Sequence, residues 1–199
     1  MPISRRGLLT SMLASGLLPG RQALAVSGEP FPVFASDAEQ IGYKFRRRDV
    51  DYETREPAGT LIIDPRQRFL YHVLGKGQAT RYGVSVGKAG KSWSGEAEIK
   101  RMEKWPVWVP TPEQLAVYPS FAKYIHGMPG GRGNPMGARA LYLYQGDVDT
   151  VYRIHGALDP KLIGRSATAG CISLINVDVI YLYERVKIGT RVVVLPADG

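Results

Sequence analysis

Thr60-Leu61-Ile62-Ile63-Asp64, then Pro65-Arg66-Gln67-Arg68, then Phe69-Leu70-Tyr71-His72-Val73-Leu74: two branched and aromatic runs flank one short polar break. Such side chains fit a pleated surface, and a proline among charged residues suits a turn. The stretch reads as a β-hairpin. Outward from it the same grammar repeats. Arg81 to Gly87 is a third strand, ending in the turn Gly87-Lys88-Ala89-Gly90, and Glu96 to Lys104 is a fourth. Trp105 to Pro110 is punctuated by prolines and reads as an extended edge segment. Ala140 to Tyr144 and Thr150 to His155 are two further strands, and Arg191 to Leu195 is the last.

Two short helices interrupt the strands. Thr111 is placed to cap one with Pro112 in its first turn, running to about Val117 before Pro119 interferes. Asn176 is placed to cap a second, from Val177 to about Val186, with Val177, Ile180, Leu182 and Tyr183 on its buried face. Residues 26–58 read as an irregular lead-in and residues 59–199 as one domain. The expected class is mainly β, antiparallel, with short helices.

The bulk numbers agree. A chain of 199 residues, 44% hydrophobic, can bury one good core, and its 23 glycines and 14 prolines favour strands and turns over a helical bundle. The formal charge is +8. Arg5, Arg6 and Arg21 lie in a segment expected to be removed, and without those three the charge is +5. That surplus aids attraction to an anionic envelope but gives no nucleic-acid footprint. Arg46-Arg47-Arg48 is followed at once by Asp49, Asp51 and Glu53, so the run reads as a solvated face.

Residues 1–25 read as a signal peptide. Arg5 and Arg6 form its positive region, Gly7 to Gly20 is uncharged and mostly apolar, and Ala23-Leu24-Ala25 is a small-x-small cleavage site. Ser4-Arg5-Arg6-Gly7-Leu8-Leu9 is similar to a twin-arginine signal. The apolar part is shorter than the ~20 residues of a membrane span. Export, to a periplasm or cell envelope, is the expectation.

Cys171 is the one cysteine, so no intramolecular disulfide forms. A lone thiol in an oxidising compartment is a liability unless buried or useful. As a nucleophile it needs a base or a field that favours the thiolate. Gly170 before it would let backbone approach substrate closely, and the amides around residues 169–171 could hold an oxyanion. Of the three histidines, His72 alternates within a strand and His126 precedes the Gly/Pro-rich loop 127–139. His155 ends a strand 16 positions before Cys171, where a loop could bring the two together. The base must be held in place, and a backbone carbonyl at Gly156 or just after is a natural holder.

Ile154-His155-Gly156, Ile163-Gly164 and Thr168-Ala169-Gly170-Cys171-Ile172-Ser173-Leu174 stand in order. With Asn134 to Leu141, Asp178 to Val186, Gly189-Thr190 and the final Val-rich strand, the stretch from about Lys44 to Leu195 resembles the L,D-transpeptidase catalytic domain, or YkuD domain. The resemblance implies a β-sandwich-like fold with Cys171 as nucleophile and His155 as base, and amides near Gly170 at the oxyanion. The implied substrate is a peptidoglycan stem peptide, acylated with loss of D-Ala and passed to an amine in a 3→3 cross-link. It implies no metal or organic cofactor, and carbapenems as covalent inhibitors. The family usually carries Arg two residues after the Cys, and this chain has Ser173. Serine cannot supply the bidentate, charged grip of a guanidinium. Arg139 or Arg165 could, if either points into the cleft. Ser173, Thr168, Arg139 and Arg165 are therefore the candidate substrate-binding residues. Water as acceptor would give an L,D-carboxypeptidase, and a lysine acceptor would attach an envelope protein to the wall. From another class, a wall-binding module with decayed catalysis also fits.

Overall fold

The structure, a computed structural model, describes residues 25–88 and 93–197. Nearly all of the segment read as a signal peptide, and the end of the turn after Gly87, lie outside the described residues.

Strands dominate, as expected. They are β1 (Arg48–Asp51), β2 (Leu61–Asp64), β3 (Phe69–Gly75), β4 (Gln78–Gly83), β5 (Val86–Gly87), β6 (Gly95–Lys104), β7 (Arg139–Gln145), β8 (Val148–Ala157), β9 (Ser166–Thr168), β10 (Ile172–Ile175) and β11 (Arg191–Val194). Two α-helices, α1 (Pro112–Val117) and α2 (Asn176–Tyr183), and four short 3-10 turns complete the described fold. Nine strands form one sheet in the order β1-β4-β3-β2-β11-β6-β7-β8-β10. Most neighbours are antiparallel, but β11 runs parallel to β2 and β10 parallel to β8. β5 and β9 make a separate parallel pair.

The expected hairpin is β2–β3, with Leu61 opposite His72 and Asp64 opposite Phe69. Asp64 holds its turn: its carboxylate accepts from the Gln67 amide at 2.9 Å and the Gln67 side chain at 2.8 Å. The expected third strand is broken at Val84-Ser85 into β4 and β5. The reason lies across the molecule. Ser85 bridges to Ser173 in β10, with reciprocal amide–carbonyl bonds of 2.8 and 2.9 Å. β4 lies near one edge of the sheet and β10 is the other edge, so the sheet curls until its ends meet. The curl encloses Leu61, Ile63, Leu70, Tyr82, Val84, Ile99, Leu141, Leu143, Ile154, Ile172, Leu174, Val179 and Leu182. Burial of that apolar surface is the main force for closure.

The lead-in is more ordered than its composition suggests. Arg48–Asp51 pairs with β4 as β1, and Thr80 Oγ1 donates to Asp49 at 2.7 Å. α1 has the expected cap: Thr111 Oγ1 accepts from the Gln114 amide, and the Gln114 side chain accepts from the Thr111 amide at 2.9 Å. α2 corrects the expectation on three points. It ends at Tyr183, and its buried residues are Asp178, Val179 and Leu182. Asp178 turns inward because Arg47 of the lead-in meets it at 3.1 Å. Asn176 does not cap the helix. Its Oδ1 accepts from the Ala138 amide at 2.8 Å, and its Nδ2 donates to the Ala157 carbonyl at 3.3 Å, tying β7 to β8.

Candidate active site

β8 carries His155 near its end, and the register decides where the ring points. Side chains alternate between faces along a strand. Ile154 faces the core, so His155 faces the other side. A bulge sets that phase. The β7–β8 register shifts between Tyr142 and Tyr144, and Val151 within the shift has φ 65°. For a branched residue this is strained backbone. The Asp149 carboxylate holds it by accepting the Val151 amide at 2.8 Å. Bulges commonly re-aim a side chain beside an active site.

The imidazole is 9% exposed. Its Nδ1 lies 2.8 Å from the Gly156 carbonyl oxygen. A carbonyl only accepts, so Nδ1 carries the proton and Nε2 offers a lone pair. Burial lowers the His155 pKa to about 4, against a rise from the Gly156 hydrogen bond and a further lowering by the charge of Arg153. The ring is neutral at pH 7. Gly156 itself is required by space: a Cβ there would lie 2.1 Å from Asn176 Oδ1 and 2.9 Å from the Ala138 amide.

β10 lies alongside β8, with Ile172 opposite Ile154 and Ser173 opposite His155. Cys171, half-buried, immediately precedes it. Parallel neighbours thus bring the thiol beside Arg153 and the imidazole beside Ser173. The bond that forms across this pair is between Ser173 and His155: Ser173 Oγ lies 3.2 Å from Nε2. With Nε2 an acceptor, the serine hydroxyl donates. Burial pushes the Cys171 thiol up, while a main-chain hydrogen bond from Arg153 and its positive charge pull it down.

The turn before Cys171 is held by Thr168. Its hydroxyl donates to the Cys171 carbonyl at 2.6 Å and accepts from the Gly170 amide at 3.2 Å. Gly170 has φ 141°, a conformation that side chains rarely adopt. The Gly170 amide is therefore directed at Thr168 rather than into the cleft, and the Thr168 hydroxyl is spent within the turn.

Arg139 is corrected outright as a cleft residue. It is 2% exposed and pairs with Glu29, with Nη1 at 3.0 Å from Oε2, and Nη1 also donates to the Ala138 carbonyl at 2.8 Å. Ala140 lies opposite His155, so Arg139, one residue earlier, points to the opposite face. Arg165 is exposed, and its carbonyl receives the Ser85 hydroxyl and the Val86 amide, both at 3.1 Å. The guanidinium on the Cys171 side is Arg153, which no motif singles out. It is locked by Asp149, with Nη1–Oδ1 at 2.7 Å and Nη2–Oδ2 at 2.8 Å. Only the cross-strand register reveals it. Among the described residues no group of three or more His, Cys, Asp or Glu side chains could hold a metal ion.

Comparison with known proteins identifies relatives of the chain. A structure from Brucella melitensis, described as a probable carnitine operon oxidoreductase, is 47% identical, covers 81% of this chain and 99% of its own, and superposes with a TM-score of 0.54. That description belongs to the Brucella chain. A Mycobacterium smegmatis L,D-transpeptidase shares the fold at 17% identity and a TM-score of 0.50, over 69% of this chain and 58% of its own. The probable L,D-transpeptidase ErfK/SrfK of Salmonella typhimurium is 32% identical over 69% of this chain and 44% of its own length. The probable L,D-transpeptidase YbiS of Escherichia coli is 31% identical over 67% of this chain and 43% of its own. The chain thus spans less than half the length of these curated relatives. The family model YkuD, the L,D-transpeptidase catalytic domain, matches residues 58–194, and the chain belongs to that family.

Proposed function

We propose that this protein is an exported acyltransferase of peptidoglycan, with Cys171 as nucleophile and His155 as general base. One observation carries the reading beyond the family: His155 is neutral, its Nδ1 proton held by Gly156, with an Nε2 lone pair on the face where Cys171 enters β10. A base with that tautomer can take a thiol proton without first losing its own.

In the proposed cycle Nε2 takes the Cys171 proton, and the thiolate attacks the carbonyl between the third residue of the stem and D-Ala. The Cys171 amide holds the oxyanion, since the Gly170 amide is engaged by Thr168. His155 returns the proton to the amine of the departing D-Ala, leaving a thioester on Cys171. The amine of a second stem then attacks, a 3→3 amide forms and the thiol is restored. Arg153 favours the thiolate by its charge. The leader at residues 1–25 supports a location in the periplasm or envelope. L,D-transpeptidase 3 of Mycobacterium tuberculosis was solved with a faropenem-derived adduct. By that likeness a carbapenem is expected to acylate Cys171.

The test is product analysis by mass spectrometry. Residues 26–199 are incubated with a disaccharide-tetrapeptide beside Cys171→Ala. Dimers lacking one D-Ala, absent from the variant, are expected. Tripeptide monomers alone would move the acceptor to water. A product in the presence of an envelope protein, and only then, would move it to lysine. No reaction under any of these conditions would count against an enzyme and for a wall-binding module.

A further inference from the structure

The thiol and Ser173 need the same atom. Nδ1 of His155 is committed to Gly156, so Nε2 is the ring's only acceptor. The Ser173 hydroxyl already donates to it at 3.2 Å. Neither partner is free to drift. Ser173 is 4% exposed, and its backbone is clamped on one side by β8 and on the other by Ser85, itself 0% exposed. The Ser85 hydroxyl is fixed in turn to the Arg165 carbonyl. A buried hydroxyl does not give up its hydrogen bond without cost.

We infer that Ser173 is a positioning residue that caps the His155 base in the resting protein, holding the ring in plane and keeping its Nε2 lone pair from the Cys171 thiol until substrate enters. This rests on the assignment of Cys171 and His155 as nucleophile and base. The cap adds no covalent step. On activation the hydroxyl rotates off Nε2, the Sγ–H bond breaks, and the proton joins Nε2. Ser173 keeps its own proton throughout. The cap makes free-enzyme thiol reactivity low and ties activation to an event that gives the hydroxyl another partner, such as a polar group of the stem peptide.

The test reads the thiol directly and needs no peptidoglycan. The full mature chain, with Ser173→Ala and Ser173→Thr, is alkylated with iodoacetamide across pH 5 to 10, and Cys171→Ala serves as blank. Ser173→Ala is expected to alkylate about fivefold faster near neutral pH, the worth of one neutral hydrogen bond. Its profile should shift to lower pH. Ser173→Thr, which keeps the hydroxyl, should track the parent. A Ser173→Ala profile that superimposes on the parent, or runs slower, overturns the cap. A slower profile would instead mean that the hydroxyl relays the proton. A second control, His155→Gln, separates the two readings. If His155→Gln leaves alkylation unchanged in the Ser173→Ala background, the pairing of base and nucleophile fails. If it abolishes the gain, the pairing stands and the cap is confirmed as acting through it.

Discussion

Two buried polar centres flank β7 and β8, and they are built on opposite principles. Around Arg139, charge meets charge. Glu29 takes two guanidinium hydrogen bonds and one from Trp105 Nε1 at 2.8 Å, and its carboxyl is held below the usual range mainly by Arg139. Around His155 no net charge sits on the ring, and in the proposed cycle the hydrogen bond to Nε2 has a competitor in Cys171, two residues from Ser173. The first centre bolts the lead-in to the sheet. The second keeps a lone pair that can change hands. A buried ion pair specifies structure, whereas an exchangeable hydrogen bond beside the proposed nucleophile specifies chemistry.

The comparison breaks most sharply under His155→Ala. Turnover on a tetrapeptide is expected to fall by about 10²–10⁴-fold, with the fold retained at a lowered thermal midpoint, since Gly156 and Ser173 lose their imidazole partner. A large stability loss with intact turnover would reverse the roles of the two centres. Arg139→Ala is the mirror experiment. It leaves Glu29 buried without its partner, and about 3–5 kcal/mol of stability should be lost in denaturant titration, while iodoacetamide reactivity of Cys171 in the folded protein stays put.

The pH dependence sharpens it further. His155 has a folded pKa near 4 against 6.5, so its contribution to stability is present above 6.5 and lost as pH falls toward 4. Asp178 runs the other way. Burial raises it to about 6, outweighing the lowering by Arg47, so its contribution is present below 3.8 and lost as pH rises through 6. Asp178→Asn should therefore gain on the parent by about 1–3 kcal/mol between pH 4 and 6. A difference that shrinks over that window would mean that Arg47 outweighs burial. The acid limb of kcat should also fall near pH 4 rather than 6.5. The smallest effect is Arg153→Gln, which removes the positive charge beside the thiol. A modest rise in the alkylation midpoint is expected, and an unchanged midpoint would show that the Arg153–Asp149 pair exerts no net field on the thiol.

Most strands and the start of α1 were legible because they are local; β9 and β10, the latter beside His155, were not. Thr111 with Gln114 and Pro112, the β2–β3 runs, and the final Val192-Val193-Val194 announce themselves over a few residues. β1 was not legible, because Arg48-Asp49-Val50-Asp51 reads as a charged run until β4 supplies its partner. The buried face of α2 was misread for a similar reason: Asp178 goes inward only because Arg47, far away in the chain, meets it there. Asn176 looked like a cap, yet its side chain serves Ala138 and Ala157. Arg139 looked available until the β7–β8 register turned it from the cleft.

By itself the sequence determined the mainly β class, the one thiol, the histidine that could serve it, and the family whose pattern they follow. These follow from composition, short-range periodicity and chemically irreplaceable residues. The Gly156 carbonyl on Nδ1 was also expected, but tertiary structure alone decided the other partners: Ser173 for Nε2, Glu29 for Arg139 and Thr168 for the Gly170 amide. The physical reason is that strand pairing converts distant positions into neighbours, and a shift of one residue sends a side chain to the other face.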